Sequence, residues 1–347
     1  MHFSTLPVEI LTQVFLSLPT ISSVISLAST CHRFHDAYHS SRRRLILSEA
    51  AEREFGPVDD IVQLVTQNSS QPAHVRRDVP ISDALILQII KIGKVARKWE
   101  TIYPHKKWKD DFENRRTLTE EECFRLRRAL YRLWLFGRAF HNNGYVRTAR
   151  SLPQVKLERA ALLHNFPVAE LAEMQDVYTV MRDMVAQNIC PSNGRIRQKF
   201  QKRHPDSNHQ LLFNIHLNYP LPAPAPFLPS INDYNNSSYL ESKYHSRLQP
   251  SRWHEPGGEG WGDEILHYYV VEDMMKLDPE QILWLRDHCP YKQHVECYVK
   301  GLGEWFNNNG QTFGETLDFV TSQRGGDTEE LKAMIEDGEM GVAVCEM

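Results

Sequence analysis

Near the start of the chain, apolar residues recur at helical spacing. Ile10 and Val14 lie four apart, and Leu11, Phe15 and Leu18 fall at i, i+4 and i+7, so about half of one helix circumference is apolar. Leu6-Pro7 predicts the helix start at Pro7, because proline suits a first helical position that needs no N–H. Pro19 stops this helix. Thr20 is placed to cap a second one carrying Ile21, Val24, Ile25, Leu27 and Ala28, and Cys31 to Tyr38 makes a third turn bearing Phe34. Three helices of this size bury too little surface to stand alone, so they pack on another body, which is either a partner or the rest of the chain.

Further along, Ser82–Ile102 reads as a buried helix, apolar almost all round, and Tyr103–Arg116 as a charged surface connection. Thr119 and Glu122 predict a capping box that opens a helix with a Leu126, Leu130, Leu133, Gly137, Phe140 stripe, ended by Asn142-Asn143-Gly144. Its arginines, 125, 127, 128, 132 and 138, are expected to lay their stems on apolar surface and keep their heads wet. After Pro167, Leu171, Met174, Tyr178, Met181 and Val185 mark another core stripe. Asp278, Pro279 and Gln281 start a later helix; Tyr291–Phe306, Phe313–Ser322 and Thr328–Ile335 follow, and the segment from Gly338 is expected to fray. Phe55–Pro80 reads as a polar boundary, and Arg42-Arg43-Arg44 as a solvated helix end rather than a nuclear signal. Arg195 to Arg203 is a basic run, and Pro220–Pro229 is too rich in proline for helix or central strand. The expected fold class is all-α, with a short N-terminal three-helix module at 1–50, a larger helical domain at 51–347, and a minor strand pair around Leu211–Leu217.

The order Leu6-Pro7-Val8-Glu9-Ile10-Leu11, Val14-Phe15, Leu18-Pro19, Leu27 and Cys31-His32-Arg33-Phe34 closely resembles the F-box. The resemblance implies a trihelical module that docks on the S-phase-kinase-associated (Skp) adaptor of SCF ubiquitin ligases, and through it on a cullin–RING scaffold. The positions that match are Leu6, Pro7, Ile10, Leu11, Phe15, Leu18, Pro19, Leu27, Cys31 and Phe34; which face the adaptor and which form the module's own core is open at this point. Thr30 and His32 depart mildly from the usual pattern. LTEEECFRLRRALYRLWLFGRAF and LAEMQDVYTVM also resemble stretches of fungal F-box proteins with a helical C-terminal region.

Composition narrows the classes. In 347 residues, 41% are hydrophobic and 24% charged, as in globular domains, and a net charge of −4 argues against a dedicated nucleic-acid or anionic-membrane binder. No stretch approaches the roughly 18 apolar residues of a membrane span, and six scattered cysteines suit reduced thiols, so an intracellular, cytoplasmic or nuclear location is expected. No repeat of roughly 20–50 residues announces a substrate-gripping surface.

The candidate chemistry is sparse. His288, Cys289, His294 and Cys297 hold zinc-compatible donors but lack a paired-cysteine spacing, so buried structural roles are preferred to a metal site. His254, Glu255, Glu259 and His267 flank a glycine-rich loop without a phosphate-binding signature. No cofactor and no catalytic residue is expected. The favoured reading is a non-catalytic F-box substrate receptor with an unknown protein target. The alternatives are an enzyme of unrecognised type, or an F-box protein that binds the adaptor outside any ligase.

Overall fold

The computed structural model describes residues 6–113, 115–192, 195, 202, 260–261, 265–290, 292–303, 305–306 and 309–344. Its helices are α1 (Val8–Ser17), α2 (Ile21–Ala28), α3 (His32–Tyr38), α4 (Arg43–Phe55), α5 (Val58–Thr66), α6 (Asp83–Lys107), α7 (Glu120–Phe140), α8 (Pro153–His164), α9 (Val168–Met184), α10 (His267–Met274), α11 (Pro279–His288), α12 (Lys292–Gly301), α13 (Phe313–Gln323) and α14 (Thr328–Glu336). The protein is helical, as its sequence pattern predicts. The strand pair expected around Leu211–Leu217 lies outside the described residues, as do most of the basic run and the proline-rich segment. A short antiparallel pair, β1 (Gly260–Trp261) with β2 (Ile265–Leu266), matches Gly260 to Leu266 and Trp261 to Ile265.

Two compact units divide the chain: Met1–Ala139 with Ala161–Val177 and Val320–Met347, and Phe140–Ala160 with Tyr178–Phe319.

In the first unit, Pro7 is the N-cap of α1, so the helix begins one residue later than predicted, and Pro7 O accepts from Ile10 N and Leu11 N. The Thr20 side chain caps α2 by accepting from Ser23 N at 3.1 Å. α1 and α2 each pack against both α3 and α4. α4 also satisfies the loop between α1 and α2: Ile21 N donates to Glu54 Oε2 at 2.8 Å, and Arg53 Nη1 to Leu18 O at 3.3 Å. The three arginines at 42–44 therefore stand at the start of α4, where Arg43 pairs with Asp83 at 3.3 Å.

α4 in turn lies on α6, so closely that a Cβ added at Gly93 would fall 2.3 Å from Phe55 Cγ. α5 falls inside the stretch read as a polar boundary. Its nine residues bury Val58, Ile61, Val62 and Leu64. α6 runs five residues beyond Ile102, through Pro104, because Tyr103 and Lys107 both have an interior partner. Tyr103 Oη donates to Asp176 Oδ2 at 2.5 Å, Lys107 Nζ to Asp176 Oδ1 at 2.9 Å and to Ile335 O at 3.0 Å. The same Asp176 accepts from Val342 N at 3.0 Å, and Val342 and Ala343 are buried, so the C-terminal segment is packed where fraying was expected.

The capping box on α7 forms as predicted, with Thr119 N on Glu122 Oε2 at 2.8 Å and Glu122 N on Thr119 Oγ1 at 3.2 Å. Its arginines are not all wet. Arg127 and Arg132 are buried, Arg127 pairing with Glu100 at 2.7 Å and Arg132 with Asp60 at 2.8 Å and Glu170 at 2.6 Å, while Arg128 meets Glu173 at 2.5 Å. A charge taken from water needs a partner at contact distance, and these acids supply it.

In the second unit, Lys276 is enclosed. Its ammonium lies 4.0 Å from the Phe306 ring centroid, donates to Asn309 O at 2.9 Å and pairs with Asp273 at 3.3 Å. Arg147 also reaches Asp273, at 2.8 Å, and Arg159 pairs with Glu315 at 2.9 Å. α11 carries the predicted capping box of Asp278 and Gln281 with Pro279 in its first turn, and α12 stops at Gly301, short of the expected Phe306.

Candidate functional site: an apolar docking surface

The N-terminal helices sort their apolar residues into two sets. Leu11 and Phe15 are wholly buried; Phe15 meets Phe34 edge-on at 6.2 Å and Tyr38 at 6.1 Å. Ile21, Val24 and Ala28 are the buried face of α2. These side chains hold α1 and α2 on α3 and α4, and offer nothing to an outside molecule.

The second set faces water. Val8 is 50% exposed, Ile10 47% and Ile25 54%, and Pro7 and Pro19 are exposed as well. Pro7, Ile10 and half-buried Val14 follow at steps of three and four, so they share one side of α1 beside its core face. Ile25 sits one residue round from Val24 on α2. Of the remaining expected positions, Leu6, Leu18, Leu27 and Phe34 are half-buried and Cys31 is exposed. The ten residues singled out from the sequence thus come together in one small module but divide by depth. Val8 and Ile25 were not among the positions expected from the sequence; Ile25 follows Ile21 by four residues, so spacing groups it with the apolar side of α2, and the fold leaves it at the exposed edge of that side. Val8, Ile10 and Ile25 are thus branched apolar side chains left in water on two short helices of one module.

Arg33 ties the module's entry by donating to Leu6 O, and Arg43 lies over the Tyr38 ring at 5.6 Å. Burial of the Tyr103 hydroxyl, followed by the nearby Asp176 charge, holds its pKa well above the ordinary value, so it is a hydrogen-bond donor in the interior.

The His288–Cys297 group does not gather into a three-donor metal cluster among the described residues. Cys289 is buried and its thiol is pushed up, first by desolvation and then by the neighbouring Cys297, the opposite of an activated thiolate. Cys297 and His294 are exposed, and His288 is stacked on Trp284 with centroids 4.9 Å apart. No set of three His, Cys, Asp or Glu side chains among the described residues is placed to hold a metal ion. His254, Glu255 and Glu259 lie outside the described residues. No described helix is long and apolar enough to cross a membrane.

Residues 3–46 match the family model described as F-box-like. That match takes in α1, α2 and α3 and ends in the first turn of α4, so the chain carries an F-box-like domain at its N-terminal end. No curated protein and no solved structure matches the chain.

Proposed function

We propose that the protein is an F-box substrate receptor: Pro7, Val8, Ile10 and Ile25, with half-buried Leu6, Leu18, Leu27 and Phe34 and exposed Pro19 and Cys31 around them, dock on the Skp-family adaptor of an SCF ubiquitin ligase. Leu11 and Phe15 act beneath this surface by holding its shape. The observation that carries the reading is the coincidence of an F-box-like match with branched apolar side chains left in water on those helices. The helical body would then present a protein target to the ligase. Such a receptor performs no bond chemistry; it raises the local concentration of a target lysine near a conjugating enzyme held by the cullin–RING scaffold.

Docking is tested by calorimetry of the full chain with the purified adaptor. The double variant Ile10→Asp with Ile25→Asp should lose binding by roughly a hundredfold or more while its unfolding midpoint stays near that of the parent, because large apolar anchors dominate such interfaces. Phe15→Ala should instead lower stability by about 3–5 kcal/mol through the cavity it leaves. Unchanged adaptor affinity in the double variant refutes the docking surface.

A further inference from the structure

α3 bears three histidines, His32, His35 and His39, in and just after a seven-residue helix. His35 and His39 are four apart, so they lie on one side of it. Their ring centroids are 4.2 Å apart with planes inclined at 40°, and both residues are exposed. Two histidines at this spacing are the helix-borne pair that grips zinc in one class of metal sites. An ion held about 2.0–2.1 Å from two adjacent imidazole nitrogens sets their ring centres about 4.5–5 Å apart, so the two rings need part only slightly to admit one. Asp36 Oδ1 stands 3.6 Å from His35 Nδ1. At that distance it makes no hydrogen bond, but it stands on the side where metal-bound histidines keep an outer carboxylate, and Nε2 is the nitrogen away from it. Arg33 and Arg43 of the module have partners of their own, Arg33 in Leu6 O and Arg43 in Tyr38 and Asp83.

We propose that His35 and His39 form a surface chelate for a divalent first-row transition cation, with water filling the other positions. No third protein donor completes a cage among the described residues, so the site is open and exchangeable. Affinity should follow the usual order, copper above nickel, and both above zinc. The rings do not stand alone: His39 meets Tyr38 edge-on at 5.0 Å, and Tyr38 meets Phe15, so a bound ion fixes the end of α3 against the module's core. This site is independent of the adaptor reading.

Calorimetric titration of the full chain with copper, nickel and zinc chlorides tests it. The parent should show a site that His35→Gln or His39→Gln each weakens by roughly tenfold or more, and that His32→Gln changes by less than about twofold, since a chelate needs both its nitrogens. With one equivalent of copper on the unaltered protein, the electron paramagnetic resonance spectrum should carry coupling from two imidazole nitrogens. Equal copper affinity in the parent and both pair variants overturns the proposal, and so does a bound-copper spectrum without two nitrogens.

Discussion

His141 is fully enclosed in the second unit, and burial, reinforced by the positive charges of Lys276 and Arg159, holds its pKa down at about 3. A histidine depressed in the folded state leaves stability intact above the ordinary imidazole value of about 6.5; below it the unfolded chain takes up a proton that the folded chain refuses, and stability falls until the pH reaches the folded value. Between neutrality and pH 5 this one residue should remove about 2 kcal/mol of unfolding free energy. Chemical denaturation at both pH values measures it, and His141→Asn should flatten the dependence over that window. Burial raises the pKa of Asp60, Glu100, Glu173 and Glu272, and these groups work in the opposite sense, gaining stability as acid protonates them. At this scale the sequence was only partly legible. Leu11 and Ile10 are neighbours and equally apolar, yet one is sealed and the other open, because α3 and α4 leave part of α1 uncovered. Arg127 and Arg132 looked like solvated positions since their acids, Glu100, Asp60 and Glu170, come from distant turns of the chain.

Helices with a local signature were readable. Thr20, the Thr119–Glu122 box and the Asp278–Gln281 box each satisfy helix N–H groups with side chains a few residues away, so composition alone places those starts. α5 was not readable: it is short, follows Pro57, which offers no side-chain cap, and is made worthwhile by burying Ile61 and Leu64 against the rest of its unit. The last turn of α6 was missed for the same kind of reason, since Lys107 among charged neighbours gives no hint of Asp176. The α4–α6 contact depends on the missing side chain at Gly93. Gly93→Ala would favour α6 by about 1 kcal/mol through helix propensity, but overpacking against Phe55 should cost about 1–3 kcal/mol. A net lowering of the unfolding midpoint is expected, and an unchanged or raised midpoint would show that the two helices can separate cheaply.

Across the whole molecule, the first unit is assembled from three separated stretches of chain. Ala172, Leu331 and Ile335 share one apolar cluster, and the buried pair Val342 and Ala343 closes over Asp176 beyond them. Removing everything after Asp337 should therefore destabilise this unit by about 3 kcal/mol, from one lost valine burial and one lost hydrogen bond to a carboxylate. The measurement is a denaturation curve of the shortened chain, and full retention of stability would mean that Asp176 is satisfied without Val342. Hydrophobic pattern alone identified the helical class and the anchor helices; the closing role of the final segment depends on two glycines with positive φ, Gly338 at 75° and Gly341 at 107°, which read in sequence as looseness but are the turns that bring it home.

That arrangement has a consequence for how the protein is made. The F-box-like helices are made before the other stretches of their unit, which cannot finish until residues beyond Val320 have been synthesised and folded back. From their own synthesis until residues 335–342 arrive, Lys107 and Asp176 therefore wait without their last partners, and over that interval the growing chain presents unfinished apolar surface to chaperones.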